Sequence, residues 1–146
     1  MEHLDLSGNE LSGPIQEFEV ASSCLVDLEL SMNELTGEVP GSFFKIGSLE
    51  LLDIESNNFV GSVDLSSFWR LPKLTILILA NNKLSVTDGA EINYASTHSS
   101  RLVILSLACC GITKFPSILT RTSDVSYLDL SCNKIGGDIP NWIWES

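Results

Sequence analysis

Two adjacent cysteines, Cys109 and Cys110, are the residues best suited to chemistry in this 146-residue chain, which contains four cysteines and two histidines. Thiolates are nucleophiles and metal ligands, and two of them can form a disulfide. No set of Cys and His has the spacing of a zinc site, and no glycine-rich phosphate loop or nucleophile elbow occurs. His3 lies beside Asp5, which is more typical of a solvated pair than of a catalytic dyad, and His98 is distant in sequence. We therefore predict no metal, no cofactor and no enzymatic activity.

Composition restricts the partners of the chain. Its net charge is −11, and 44% of its residues are hydrophobic, which is enough for a continuous core. Nucleic-acid backbones and anionic membrane surfaces both attract clustered Lys and Arg, so this acidic balance argues against either partner. No apolar run approaches the roughly 18 residues of a membrane span, and the residues after Met1 do not resemble a signal peptide. We expect no nucleic-acid binding and no membrane span within this chain.

Six related segments follow one another at intervals of 23 to 28 residues. They are LDLSGNELSG (4–13), LELSMNELTG (28–37), LDIESNNFVG (52–61), LILANNKLSV (77–86), LSLACCGITK (105–114) and LDLSCNKIGG (128–137). Their frame, L-x-x-L-x-L-x-x-N/C-x-L, is typical of leucine-rich repeats. Leucines spaced by two point to one face of a short strand, and such a strand buries that face only by stacking on parallel neighbours.

The predicted fold is therefore α/β. We predict a leucine-rich-repeat solenoid, a right-handed superhelix with a parallel β-sheet on its concave face and short 3-10 or irregular segments on its convex face. A single array covers residues 1–146, with no cap at either end. Its six units, numbered 1 to 6 below, start near residues 1, 25, 49, 74, 102 and 125.

Aromatic residues and one long unit predict features outside the concave sheet. The apolar residues that share one repeat phase, and so predict a spine beneath the convex surface, are Val20, Phe44, Phe68 and Trp144. Trp142 and Trp144 are accordingly interpreted as packing residues rather than ligand contacts. The polar stretch 85–100 lengthens its unit and predicts a surface excursion.

One polar position follows the strand in every unit. It is occupied by Asn9, Asn33, Asn57, Asn82, Cys110 and Asn133. Inward carboxamides at this corner can bond backbone groups that would cost about 1–3 kcal/mol each if buried without partners. Cys110 offers only a weak donor there, so we interpret it as a buried and inert structural residue, not a metal ligand.

Cys109 precedes the corner and shares its repeat position with Cys132, one unit further on. Neighbouring parallel strands place such Cα atoms about 5 Å apart, inside the disulfide range, but hold the Cβ atoms wider than a bridge prefers. Cys109–Cys132 is thus a candidate disulfide that strand geometry permits without favouring. Cys24 lies at another repeat phase and is not expected to reach either residue.

The residues between the inward leucines point out of the concave sheet and are candidates for ligand binding. The candidate residues are Asp5, Asp27, Glu29, Asp53, Glu55, Ile76, Ile78 and Tyr127, with Glu2, Glu10, Glu34, Glu50, Val103, Ile104 and Ala108 expected on the same face. Like charges on strands about 4.8 Å apart repel by roughly 1 kcal/mol per pair in water. The acidic column therefore predicts a basic partner, with a merely solvated face as the alternative.

The change from acidic to apolar positions along this face suits contact with a peptide or protein. Six strands give a face of about 29 × 16 Å, or roughly 460 Å². A standard interface uses about 800 Å² per partner, so this chain is expected to supply part of a binding surface.

Beyond the general frame, the phrases LSGPI, LTGEVP and GGDIP resemble the plant-specific extracellular class of leucine-rich repeats. The tract from LPKLTILILANNKLSV through LACCGITKFPSIL to YLDLSCNKIGGDIPNWIW is similar to plant receptor-like proteins, in the group that includes the Verticillium-wilt resistance proteins. The resemblance implies a secreted ectodomain of many repeats, one transmembrane helix and a short tail, located at the extracellular face of the plasma membrane. It also implies a protein or peptide ligand and defence signalling through a co-receptor kinase in the full-length parent.

The chain departs from these proteins in several respects. It lacks a signal peptide, cysteine-paired caps and a transmembrane helix, and none of its nine asparagines lies in an N-x-S/T sequon, so glycosylation is not expected. A fragment or a truncated product accounts for these departures. Two other interpretations remain open: a secreted inhibitor similar to polygalacturonase-inhibiting proteins, and the ectodomain of a leucine-rich-repeat receptor kinase.

Overall fold

The concave side of the molecule is a six-stranded parallel sheet. The computed structural model describes residues 1–20, 23–89, 101–121 and 124–144. The strands of this sheet, in spatial order, are β1 (His3–Asp5), β3 (Asp27–Glu29), β5 (Leu51–Asp53), β7 (Ile76–Ile78), β9 (Ile104–Ser106) and β10 (Tyr127–Asp129). Repeat-equivalent residues are paired throughout, so the central leucines form one inward column: Leu4, Leu28, Leu52, Leu77, Leu105 and Leu128. The predicted solenoid is confirmed.

A second parallel sheet, which the repeat pattern did not predict, follows the corner of the first four units. Its strands are β2 (Ser12–Pro14), β4 (Glu34–Glu38), β6 (Asn58–Asp64) and β8 (Lys83–Thr87). Here the pairing is shifted by two residues against the repeat, because Gly13 pairs with Leu35 although Leu11 is its repeat equivalent. Gly37 has a φ of 79°, and a Cβ at this glycine would lie 3.0 Å from Pro14 Cβ. Unit 4 has Val86 in this glycine position and still forms β8, whereas residues 111–116 of unit 5 form no strand.

Short 3-10 helices return the chain across the convex side. They cover Gly41–Lys45, Leu65–Arg70, Ser117–Arg121 and Asn141–Trp144. At the first three helices, carboxylates accept hydrogen bonds from first-turn amides, which have no partner within the helix. Glu17 accepts bonds from the amides of Gly41 (2.5 Å) and Ser42 (2.8 Å), and Asp88 accepts one from the amide of Ser117 (2.5 Å).

The core is a continuous column between the concave and convex sides of the solenoid. Leu52, Ile54, Leu77 and Leu79 are fully buried, and each such side chain contributes about 1.5–3 kcal/mol relative to exposure. Large aromatic rings fill the space behind them, with Phe43, Phe59 and Phe68 almost completely buried.

The predicted convex spine is only partly correct. Phe44 contacts Phe68 edge to face at 4.8 Å, and Trp142 is half-buried against Phe115. Trp144, however, is 71% exposed, so its interpretation as a packing residue is wrong for this structure. No further unit of the described chain packs over its ring. Of the predicted excursion, residues 90–100, which include His98, lie outside the described residues.

Candidate functional site

The corner of each unit is joined to its neighbours by a ladder of carboxamides. Asn57 Nδ2 donates to the carbonyl oxygens of Leu30 (2.9 Å) in the preceding unit and Ile54 (3.2 Å) in its own, while its Oδ1 accepts from the amide of Leu35 (3.0 Å). The carboxamides that bond backbone groups of the preceding unit are Asn33, Asn57, Asn82 and Asn133. The predicted corner is thus a set of hydrogen bonds that join one unit to the next.

Cys110 occupies this ladder with weaker contacts. Its thiol is completely buried, and Sγ lies 3.8 Å from the Leu79 carbonyl oxygen and 3.5 Å from that of Ala108. Burial raises the pKa of Cys110 to about 12, so the thiol stays protonated at neutral pH. The structure places Cys110 where the sequence predicts it, in a setting that suits packing and not nucleophilic or metal chemistry.

The residue before the corner adopts a left-handed backbone in every unit, a property that the sequence analysis missed. The residues concerned are Gly8, Met32, Ser56, Asn81, Cys109 and Cys132, with φ between 53° and 66°. In the first five units the amide of this residue donates to a carbonyl of the next unit, as Met32 does to Glu55 (2.9 Å). Gly8 in the first unit indicates this conformation, because glycine readily adopts a positive φ. The non-glycine residues at this position in the later units do not indicate it.

Cys109 and Cys132 form a disulfide across units 5 and 6, with Cα atoms 4.6 Å apart. The wide Cβ separation expected from the sequence holds for cysteines in regular strands with parallel Cβ vectors. Both instead have a left-handed backbone, so the strand value for the Cβ separation does not apply to them. Cys109 is therefore bonded rather than present as an exposed thiol.

The concave surface carries two outward columns. In the first, each residue lies before the inward leucine: His3, Asp27, Leu51, Ile76, Ile104 and Tyr127. In the second, each lies after it: Asp5, Glu29, Asp53, Ile78, Ser106 and Asp129. The surface is acidic over β1 to β5 and apolar over β7 and β9. Glu34, also expected on this face, instead begins β4 of the second sheet.

Most of the predicted acidic ligand contacts also have a partner within the protein. Asp5 accepts bonds from the amide (2.9 Å) and hydroxyl (2.5 Å) of Ser7, and the hydroxyl bond is the main reason that the pKa of Asp5 is below its ordinary value. Asp53 accepts the Glu55 amide (2.9 Å) in the same kind of turn. Aspartate at this position therefore stabilises the exit from the strand in addition to facing outward.

The remaining acids differ in their surroundings. Asp27 Oδ2 lies 2.6 Å from His3 Nδ1, so the histidine is paired with the next strand and not with Asp5 as expected. Glu55 accepts a bond from Asn81 Nδ2 at 3.0 Å. Glu29 stands between Asp5 and Asp53 in the second column.

The pKa of Glu29 is raised, chiefly by burial and then by the charges of Asp5, Asp53 and Asp27. Glu29 is therefore a partly desolvated acid with like charges on both neighbouring strands. A cation placed against it would offset this repulsion and favour the ionised carboxylate.

The second half of the surface is apolar and partly open. Ile76, Ile78 and Ile104 are half-buried, and Tyr127 is 55% exposed at the last strand. In the described ranges, no three His, Cys, Asp or Glu side chains converge as a metal-binding group. An array of outward side chains on a rigid sheet can bind an extended segment, and we find no nucleophile–base pair on it.

Comparisons with known proteins agree with this geometry. Family models described as leucine rich repeat match residues 23–84, and residues 1–19 and 124–146. The chain belongs to the leucine-rich-repeat family. The array is 35% identical over 130 residues to Receptor like protein 22 of Arabidopsis thaliana, covering 88% of this chain and 16% of that protein. The resemblance to plant receptor-like proteins is therefore confirmed, and the array spans about a sixth of the length of this relative.

Solved leucine-rich-repeat structures superimpose closely on the array. The crystal structure of PEPR1–AtPEP1 matches 96% of this chain and 19% of that chain, with a TM-score of 0.80 and 31% identity. The ectodomain of the Arabidopsis receptor kinase HAESA, in complex with an N-terminally extended IDA peptide hormone ligand, matches 94% of this chain and 22% of its own, with a TM-score of 0.77 and 30% identity. Among the residues that the structure describes, no helix is long and apolar enough to cross a membrane.

Proposed function

We propose that this array is a non-catalytic recognition segment that binds a peptide or protein ligand on its concave sheet. The observation that carries the proposal is the change in the outward columns between β5 and β7, where Asp53 is followed in register by Ile78. An extended peptide that crosses six strands spans about 29 Å, which corresponds to roughly nine residues. A basic half would lie over the Glu29 region and an apolar half over Ile76 and Ile78. The peptide hormone ligand of the HAESA structure supports this class of ligand.

The experiment measures binding of synthetic peptides by fluorescence anisotropy. One peptide has a basic and an apolar half, a second has an acidic and an apolar half, and a third has the first composition in scrambled order. We expect the first to bind most tightly and Glu29→Lys to weaken it at least about tenfold, since one close charge interaction is worth about 1.4 kcal/mol or more when partly desolvated.

Glu34→Lys is the matched control, because it makes the same charge change on β4 of the second sheet. If both variants weaken binding equally, net charge and not the concave column is responsible. If Glu29→Lys has no effect on the first peptide, the acidic half of the site is merely a solvated surface.

For the parent protein we propose a receptor-like protein at the extracellular face of the plasma membrane, acting in defence through a co-receptor kinase. The support is the similarity to Arabidopsis receptor-like proteins and the motifs of units 4 to 6; the Verticillium-wilt subgroup stays a prediction. A receptor-kinase ectodomain is the second candidate, because PEPR1 and HAESA share the fold at 31% and 30% identity. Sequencing the complete transcript decides between them: a kinase domain after the repeats contradicts the first, and a membrane span with a short tail contradicts the second.

A further inference from the structure

The joint between units 4 and 5 lacks the second sheet that joins the units before it. Between units 3 and 4, β6 and β8 pair in register over five positions, from Val60–Lys83 to Asp64–Thr87. β8 is the last strand of this sheet although two more units follow it, because residues 111–116 form no strand. In the described ranges, the Val86 amide donates to the Cys110 carbonyl oxygen (2.9 Å) on this side of the joint. Units 4 and 5 are therefore joined less extensively here than units 3 and 4.

The space beside β8 is a cavity of about 520 Å³. β8 and Asp88 form one wall, residues 111–117 form the other, and Leu65 also lines it. Asp88 Oδ2 accepts the amide of Ser117 (2.5 Å), whereas Oδ1 is buried and has no hydrogen-bond partner among the described residues. Protein interiors are normally close-packed, and buried polar atoms are normally bonded. Neither holds on this side of the joint.

The corner of this joint has the weakest contact of the ladder. Cys110 Sγ lies 3.8 Å from the carbonyl oxygen of Leu79 in unit 4. At the other joints the equivalent distance is 2.8 or 2.9 Å, measured from the carboxamide nitrogens of Asn33, Asn57, Asn82 and Asn133. Because a thiol is a weak donor, this joint lacks the hydrogen bond that a carboxamide supplies.

The concave side of the joint is intact, and the two units beyond it are linked to each other. β7 and β9 pair in register, and the Leu79 amide donates to the Ser106 carbonyl oxygen (3.0 Å) at the end of this pairing. The Cys109–Cys132 disulfide connects units 5 and 6 covalently. The joint is thus held along its concave edge and open on the side of the second sheet.

We propose that the joint between units 4 and 5 is a hinge, on which units 5 and 6 move as one block. The axis lies along β7 and β9, and the cavity beside β8 widens or narrows as the block turns. Each unit of a solenoid contacts only its neighbours, so bending is concentrated at the joint with the fewest contacts. The apolar half of the concave face lies on both sides of this hinge, with Ile76 and Ile78 in unit 4 and Ile104 in unit 5. The hinge angle therefore sets the curvature of this half.

Hydrogen exchange of single amides, followed by NMR in the 146-residue chain, tests this proposal. The reporter is the Val86 amide, which bonds across the hinge. One control is the Phe59 amide, which bonds Asn82 across the joint of units 3 and 4. The other is the Ile112 amide, which bonds Asn133 across the joint of units 5 and 6. All three reporting residues are buried, so depth does not distinguish them.

We expect the Val86 amide to exchange at least about tenfold faster than both controls after correction for intrinsic rates, because fewer bonds must open. A Val86 amide as protected as that of Phe59 overturns the proposal. An Ile112 amide that exchanges as fast as Val86 also overturns it, since units 5 and 6 would then unfold instead of moving as a block.

Moving the disulfide to the hinge is the second test. Asn81 is the repeat equivalent of Cys109, both have a φ of 56°, and both amides bond the next unit at 3.0 Å. Asn81→Cys/Cys132→Ser should therefore link units 4 and 5 in place of units 5 and 6, which mass spectrometry verifies. We expect the Val86 amide to exchange at least about tenfold more slowly than in the wild type, and the Ile112 amide to exchange faster.

Asn81→Ser/Cys132→Ser is the matched control, because it makes the same changes without a bridge at either joint. Its Val86 amide should exchange as fast as in the wild type. Equal Val86 exchange in the bridged and unbridged variants contradicts the hinge. Cys110→Asn, which needs no new disulfide, should also slow the exchange of Val86, and an unchanged rate in this variant likewise contradicts the proposal.

Discussion

The side chains of Cys109 and Cys132 are bonded across neighbouring units, directly beside the corner residues Cys110 and Asn133. Asn133 Oδ1 accepts the amides of both Cys110 and Ile112, at 3.0 Å each. Units 5 and 6 are therefore joined by a covalent bond and a carboxamide at the same corner. Between units 4 and 5, the corner residue is Cys110, whose thiol lacks the oxygen of a carboxamide.

Removing the disulfide should destabilise the array. Closing a loop of this length, with a sequence separation of 23 residues, stabilises a protein by about 3 kcal/mol in the chain-entropy treatment. We expect the double variant Cys109→Ser/Cys132→Ser to lose about that much in urea unfolding, and reduction of the wild type to have the same effect. A wild type whose unfolding is insensitive to reductant would show that no bridge is present.

Placing a carboxamide at the corner of unit 5 should stabilise the array. Cys110→Asn would supply donors for the Leu79 carbonyl and an oxygen for the amide of Leu84, as Asn82 does for Phe59 (3.1 Å). We expect a gain of about 1 kcal/mol in the free energy of unfolding. The reverse substitution, Asn57→Cys, should lose a similar amount or more because it leaves buried backbone groups without partners. Equal stabilities of the two variants would contradict the role assigned to the ladder.

The concave acids should make stability depend on pH through Glu29. Its raised folded-state pKa means that its favourable contribution is complete below the unfolded value, near 4.5, and is lost as the pH rises through the folded value. Glu29→Gln should therefore melt at a higher temperature than the wild type at pH 7, with the difference vanishing near pH 4. Glu34→Gln is the control on the second sheet. A Glu29→Gln advantage that is the same at pH 4 and pH 7 would exclude an electrostatic origin.

Glu17 should act with the opposite sign. The Ser42 hydroxyl and the Gly41 amide lower the pKa of Glu17, so its stabilisation is present above the unfolded value and is lost as the pH falls through the folded value. Glu17→Gln should thus melt below the wild type at pH 7 and approach it in acid. Circular dichroism melting at several pH values measures this difference in melting temperature. A difference that does not change with pH would show that the charge of Glu17 is not responsible.

The second sheet should depend on its left-handed glycines. Gly37→Ala introduces a Cβ that would lie 3.0 Å from Pro14 Cβ, at a φ of 79°. We expect a loss of at least about 1 kcal/mol in the free energy of unfolding. Gly47→Ala is the matched control, because nothing lies within 4 Å of a Cβ at that glycine. Equal stability of both variants would show that the space between β2 and β4 adapts freely.

The leucine columns, the six concave strands and the corner residues were all predictable from spacing. A side chain that recurs every 23 to 28 residues must occupy the same place in each turn, so Leu4 and Leu128 share one column although 124 positions separate them. The second sheet was not predictable in the same way. Its pairing of Gly13 with Leu35 is shifted by two residues against the repeat, and glycines with a positive φ lie in β2, β4 and β6. Residue type at a fixed interval does not specify such a shift.

The outward columns show the same division. Spacing alone placed Asp5, Glu29 and Asp53 in one line. It did not show that Asp5 and Asp53 bond the turn after their own strands while Glu29 stands between them with a raised pKa. Such differences depend on which amides and hydroxyls reach each carboxylate.

Sequence by itself therefore determined the period of this protein, its inward and outward positions and its acidic-to-apolar concave face, because all of these follow from residue type at fixed intervals. Only the tertiary structure decided the Cys109–Cys132 bond, the partner of His3 and the exposure of Trp144. Each of these depends on backbone direction and on what packs one unit away, and spacing along the chain does not specify either.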